Sequence, residues 1–116
     1  MYVLAVQNLE AAANYYKSVL GFTVHEVGDD GWRIFERDNC QIMAGHCPES
    51  TPARELGDHS YFAYIVVDSA DRYYEELNAR GAEITKPLQS EVWGMREFGI
   101  RTNDGHRIMF GQDLEE

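Results

Sequence analysis

The sequence predicts an α+β fold: two βαβββ modules in tandem, their strands curled into a mostly antiparallel eight-stranded sheet around a cleft. Three observations carry this. First, the chain is written twice: Trp32-Arg33-Ile34 corresponds to Phe98-Gly99-Ile100, and Asp38-Asn39-Cys40-Gln41-Ile42-Met43-Ala44-Gly45 to Asp104-Gly105-His106-Arg107-Ile108-Met109-Phe110-Gly111. Second, a strand, a polar capping residue, an amphipathic helix and a terminating glycine follow one another twice. Third, Asp104-Gly105 lies between two apolar segments, a strong hairpin signal because glycine accepts the positive φ such turns require. At 116 residues the halves must share one core. The expected organisation is a single domain with modules at 1–47 and 61–116 and a connection at 48–60.

Val3-Leu4-Ala5-Val6 reads as a short apolar strand, and Asn8 as the N-cap of a helix over 9–20. Leu9, Ala12, Ala13, Tyr16 and Leu20 share one face of that helix, and Gly21 ends it. Strands follow at 22–27, Trp32–Arg37 and 40–44, with turns at 28–31 and 38–39. The segment 45–60 carries Pro48, Pro52, Gly57, His46 and His59, which suits a connection between modules. In the second module 61–67 alternates as a strand, Asp68 is the expected cap of a helix over 69–80, and Gly81 closes it. Asp68 follows Asn8 by sixty residues and Gly81 follows Gly21 by sixty, whereas the closing hairpins are offset by sixty-six. The six extra residues fall between Ala82 and Phe98. They are expected to make 86–94 a loop on the lip of the cleft, carrying Trp93.

Twenty acidic against ten basic residues give a net charge of −10. Such a surface repels nucleic-acid phosphates and anionic lipid and attracts cations, so neither nucleic acid nor a membrane is an expected partner. No apolar run approaches the roughly 18 residues of a membrane span, and Met1-Tyr2-Val3-Leu4 has none of the pattern of a secretory leader, so the expected compartment is the cytoplasm. Cys40 and Cys47 make no disulfide framework and are read as reduced thiols.

The string Val6-Gln7-Asn8-Leu9, the helix end Val19-Leu20-Gly21-Phe22 and the closing Trp93-Gly94-Met95-Arg96-Glu97-Phe98 before Asp104-Gly105 together resemble the vicinal-oxygen-chelate superfamily. The likeness spans essentially the whole chain and is greatest toward the bleomycin-resistance branch, whose members bind drugs without altering them. In catalytic branches, two His and two Glu hold a metal on the concave sheet. Carried onto this sequence by motif, those positions fall at Met1, Phe62, Met43 and Met109. A thioether or a phenyl ring does not replace the oxygen and nitrogen ligands of a hard cation. The resemblance therefore implies no metal, no cofactor and no catalytic residue. It implies a homodimer with clefts between subunits; exchange of an N-terminal arm, seen in that branch, has little chain to act on before Tyr2.

Residues two apart on a strand share a face, which sets Tyr64 beside Phe62 and Gly45 beside Met43. With Met109, Trp32 and Trp93 they are the expected ligand-binding residues, and core packing is the competing reading for each. Of Arg96 and Glu97 only one can face the groove. The expected ligand is a cationic, partly aromatic small molecule, bleomycin-like or a peptide antibiotic. Two other readings compete: a metal-dependent enzyme with displaced ligands such as His25, His46, His59 or Glu97, and a scaffold whose groove accepts a protein segment. No Ser-His-Asp or Cys-His arrangement can be placed by motif, Ser60 and Ser90 included.

Overall fold

The computed structural model describes residues 1–28, 30–51, 53, 55 and 61–114; Pro52, Gly57, His59 and Ser60 lie outside them. Strand β1 (Tyr2–Val6) leads to helix α1 (Leu9–Ser18), then β2 (Thr23–Glu26), β3 (Trp32–Arg37) and β4 (Cys40–His46). The second module runs β5 (Tyr61–Val66), α2 (Ala70–Ala79), β6 (Glu83–Ser90), β7 (Met95–Arg101) and β8 (Arg107–Asp113). The strands form two four-stranded sheets, ordered β1-β4-β3-β2 and β5-β8-β7-β6. In each, the first and last strands of the module pair in parallel and the other pairings are antiparallel.

Local chemistry explains the element ends. The Asn8 side chain accepts the Ala11 N–H at 3.0 Å and starts α1. In the second module Ser69, not Asp68, is the cap, accepting from the Arg72 N–H. Both types cap well, and the sequence does not tell two adjacent competent residues apart. Gly21 and Gly81 take φ of +75° and +92° just past the helices, as terminating glycines do. The turn before β8 is closed by the Gly105 N–H on the Thr102 carbonyl, with Gly105 at φ +90°.

The largest departure from expectation is β6. Lys86 to Ser90 continue a strand instead of opening a loop, and the turn is confined to 91–94. The inserted residues lengthen the strand, and Pro87 is tolerated in it because β6 is an edge strand, where a missing N–H costs no ladder bond. The ladder to β7 is irregular on both sides of Lys86.

Each helix covers one face of its sheet. Tyr16 of α1 stacks on Phe35 at 4.4 Å, and Tyr74 of α2 meets Phe98 edge-on at 5.4 Å. Leu4, Val6, Ile42, Ile65, Ile100, Ile108 and Phe110 complete this buried layer. Among the described residues no helix covers the opposite faces, and Val3, Trp32, Tyr64 and Val66 are exposed there.

The modules are joined chiefly through Arg37 at the end of β3. Its guanidinium donates to both oxygens of Glu76 on α2, at 2.8 and 2.7 Å, donates to the Leu20 carbonyl at 2.7 Å, and lies over the Tyr73 ring. The hydrogen bond from Arg37 holds the Glu76 carboxyl below the usual range. Tyr15 donates to the Arg101 carbonyl and Tyr2 to the Tyr64 carbonyl across the same seam. Replacing Arg37 by Met, which keeps the stem and removes the fork, is expected to lower stability to urea by about 1–2 kcal/mol, because the pair is half-buried and partly screened. The loss should also flatten the acid side of the stability profile, since the Glu76 contribution present above its unfolded pKa disappears with its partner.

Candidate functional site

Cross-strand pairing fixes which residues share the uncovered face of the second sheet. Tyr64 pairs with Met109 and Gly99 with Met109; Val66 pairs with Gly111 and Glu97 with Gly111. Lys86 pairs with Gly99 and Gln89 with Glu97. Arg96 points to the other face, where it makes a two-pronged bond to Asp71 on α2. Glu97 is therefore the charged residue of that pair on the open face.

Although no helix covers it, Glu97 is only 4% exposed. Three donors roof it. The Tyr64 hydroxyl and the Trp93 indole N–H give hydrogen bonds to Oε1 at 2.9 and 3.0 Å, and Lys86 Nζ reaches Oε2 at 2.6 Å. Lys86 Nζ is also 3.4 Å from Glu91 and lies 5.5 Å from the centre of the Trp93 ring. Burial by itself would push the Glu97 carboxyl up; the bonds from Lys86, Trp93 and Tyr64 outweigh it and hold the group ionised, below the ordinary carboxylate range. Tyr64 is driven the opposite way, its hydroxyl pushed up by burial and by the carboxylate it serves.

Tyr64 stands on β5 and Glu97 on β7, with β8 between them. The ring crosses β8 because Gly111 offers no side chain: a Cβ there would sit inside the hydroxyl and 2.6 Å from Cζ. Gly99 likewise admits the Met109 sulfur and the Lys86 stem, which a Cβ would meet at 3.0 and 3.3 Å. In the first sheet the Trp32 ring lies over Gly45 in the same way, 3.0 Å from where a Cβ would be.

The expected ligand-binding residues thus fall into three places. Tyr64 and Trp93 bond to Glu97 on the second sheet, and Met109 shares that face in register with Tyr64 and Gly99. Trp32, Met43 and Gly45 share the uncovered face of the first, where Ile34 pairs with Met43 and Trp32 with Gly45. Phe62 stands apart from both groups: its ring packs edge-on against Tyr2 and His106 at the seam, beside a register shift between Tyr61 and Ala63. Lys86 and Glu91 were missed as neighbours of Glu97. The available signal was Trp93 four residues before Glu97 and two glycines in register with the face that holds it.

Two of the three described histidines have side-chain hydrogen-bond partners. His25 is 3.2 Å from Glu36 on the first sheet, and His46 Nδ1 accepts the Leu9 N–H at the start of α1. Burial lowers the pKa of His106. Cys40 and Cys47 are free. Among the described residues no three His, Cys, Asp or Glu side chains converge in a way that would hold a metal ion, and no helix is long and apolar enough to cross a membrane.

Two modules of identical strand order, each with a helix on one face of its sheet, define the class: a tandem βαβββ fold. Residues 1–110 match the Glyoxalase/Bleomycin resistance protein/Dioxygenase superfamily, and the chain belongs to it. No curated protein matches by sequence. Among solved structures, a bleomycin resistance determinant encoded on the transposon Tn5 superposes with a TM-score of 0.80 at 19% identity, over 97% of this chain and 94% of that one. A bleomycin-binding protein complexed with bleomycin gives 0.79 at 19% identity, over 97% and 96%. TioX from Micromonospora sp. ML1 gives 0.76 at 23% identity, over 97% and 93%. At these identities the likeness establishes a shared fold.

Two outcomes are expected of this site. Gly111→Ala should displace the Tyr64 ring and cost about 1–3 kcal/mol in urea unfolding, a penalty that shrinks in a Tyr64→Ala background where the ring is gone. Because the folded Glu97 pKa is depressed, its contribution is full above the unfolded value of about 4.3 and is lost as pH falls toward the folded pKa. Stability of Glu97→Gln measured from pH 7 to pH 3 should accordingly fall less steeply than that of the parent.

Proposed function

We propose that this chain is a metal-independent binding protein that sequesters a cationic, partly aromatic small molecule, a bleomycin-like or peptide antibiotic, in a cleft completed by a second copy of the chain. The observation that carries the reading is the indole of Trp93, 61% exposed, standing beside a buried ionised carboxylate on a sheet face that no helix covers. An exposed ring next to fixed negative charge suits a planar cation, since stacking and cation attraction each contribute on the order of 0.5–2 kcal/mol.

Further support comes from the superfamily's usual metal-ligand positions, which by motif carry Met1, Met43, Phe62 and Met109 and offer no donor for a hard cation. The acidic surface raises the local concentration of cations. The apolar side chains left on the open faces, Met1, Val3, Trp32 and Val66 among them, fit cover by a second copy. Useful sequestration requires a dissociation constant near or below micromolar, about −8 kcal/mol.

Tryptophan fluorescence should quench saturably at one bleomycin per chain, with the same affinity before and after exhaustive chelation. Sedimentation equilibrium should give a dimer. A chelator-sensitive signal would turn the reading toward a metal-dependent enzyme, and no response to bleomycin or to a panel of aromatic cations would remove it. Trp93→Ala, which removes one of the three donors to Glu97, is expected to cost about 1 kcal/mol of stability to urea and to weaken binding by more than that. Equal losses in both would assign the indole a structural role.

A further inference from the structure

Lys86 occupies the place in the site that a cation would take. Its ammonium makes a 2.6 Å bond to Glu97, stands 3.4 Å from Glu91 and lies over the exposed face of Trp93. A ligand ammonium or guanidinium entering this corner would meet the same three groups and find them engaged. From this geometry we infer that Lys86 is an internal surrogate for the cationic group of the ligand, and that binding proceeds by exchange, with the ligand's charged nitrogen displacing the Lys86 ammonium. The inference rests on the binding reading above and specifies the chemistry of the group recognised: a cationic nitrogen attached to or near an aromatic ring.

Three further features fit an exchange. Lys86 lies on the edge strand of its sheet, so its side chain has a route to solvent that crosses no neighbouring strand. The register between β6 and β7 shifts on both sides of it, and Pro87, which follows directly, has no N–H to donate. The corner also has two carboxylates for one ammonium, Glu91 and Glu97 against Lys86. Its net charge stays negative with the lysine in place and favours an incoming cation throughout.

The test compares the parent with Lys86→Gln, which keeps a donor toward Glu97 without the charge, and with Lys86→Met. The probe is benzylamine, protonated at pH 7, titrated while the indole N–H signal of Trp93 is followed by NMR; its neutral carbon isostere, ethylbenzene, serves as control. With the surrogate removed, both variants should bind the cation about fivefold or more tighter than the parent, while the isostere binds all three proteins alike. The carboxyl carbon of Glu97, shifted toward its protonated form in the variants, should return to the ionised value as the cation saturates, a response that a purely structural lysine would not produce. Equal or weaker cation binding by both variants overturns the exchange, and the sequestration reading then stands or falls on the bleomycin titration alone. A gain shared equally by the isostere also overturns it, since that would mean only a wider pocket. If neither parent nor variants bind the probe or bleomycin, both inferences fall together.

Discussion

Each four-stranded sheet has one helix, and a single helix covers a single face. That constraint decides most of what else the chain does. Alternation along the strands sends one set of side chains to the helix, where Tyr16 meets Phe35 and Tyr74 meets Phe98, and the other set to a face that no described helix covers. The first set behaves as an ordinary core. The second must be polar and satisfied, small, or available to something else. Arg37 fixes how the two half-covered modules stand to one another, and its bonds to Glu76 and Leu20 come from one planar fork that a lysine would not reproduce.

Glu97 shows how the uncovered face is managed. A buried carboxylate without partners would protonate or destabilise the fold, so its ionised state depends on three donors brought from three places: β5, β6 and the turn before β7. Glycine makes that convergence possible. Gly111 lets a tyrosine reach across an intervening strand, and Gly99 lets Lys86 and Met109 lie low against the sheet. In the first module Gly45 admits the Trp32 ring by the same device, at the position that the internal repeat aligns with Gly111. Neither Gly45 nor Gly111 has a positive φ, so these glycines serve close approach, not turn geometry.

Much of the fold was legible because its signals are local. Asn8 before an amphipathic stretch, Gly21 and Gly81 past the helices, and Asp104-Gly105 between apolar runs each act within one or two turns of chain. The repeat then supplied the topology that local signals lack. What escaped was set by tertiary context. Pro87 argues against a strand unless the strand is known to be an edge. Asp68 and Ser69 are both good caps, and only the chain path selects Ser69. Phe62 was placed by motif, at a usual metal-ligand position, and its ring contacts with Tyr2 and His106 are tertiary ones that a motif does not specify. For the site, Trp93 and Tyr64 could be named from the resemblance and from periodicity. The carboxylate between them could only be narrowed to Arg96 or Glu97, because a contact from β5 to β7 over a glycine has no signature in sequence spacing.

A corner already neutralised in part by its own lysine selects ligands differently from an empty acidic pocket. In an empty pocket any cation gains by entering, and a small hydrated ion competes with an organic one on charge alone. Where Lys86 already holds Glu97, an entrant gains only the difference between its own interactions and those of the lysine. A hydrated metal ion or a bare ammonium offers little beyond what Lys86 supplies. A cation carried on an aromatic frame adds stacking on the exposed indole and the burial of its ring, terms that the lysine stem cannot match. Exchange therefore trades absolute affinity for discrimination, and it does so with residues whose first role is to keep one carboxylate ionised on a bare sheet face.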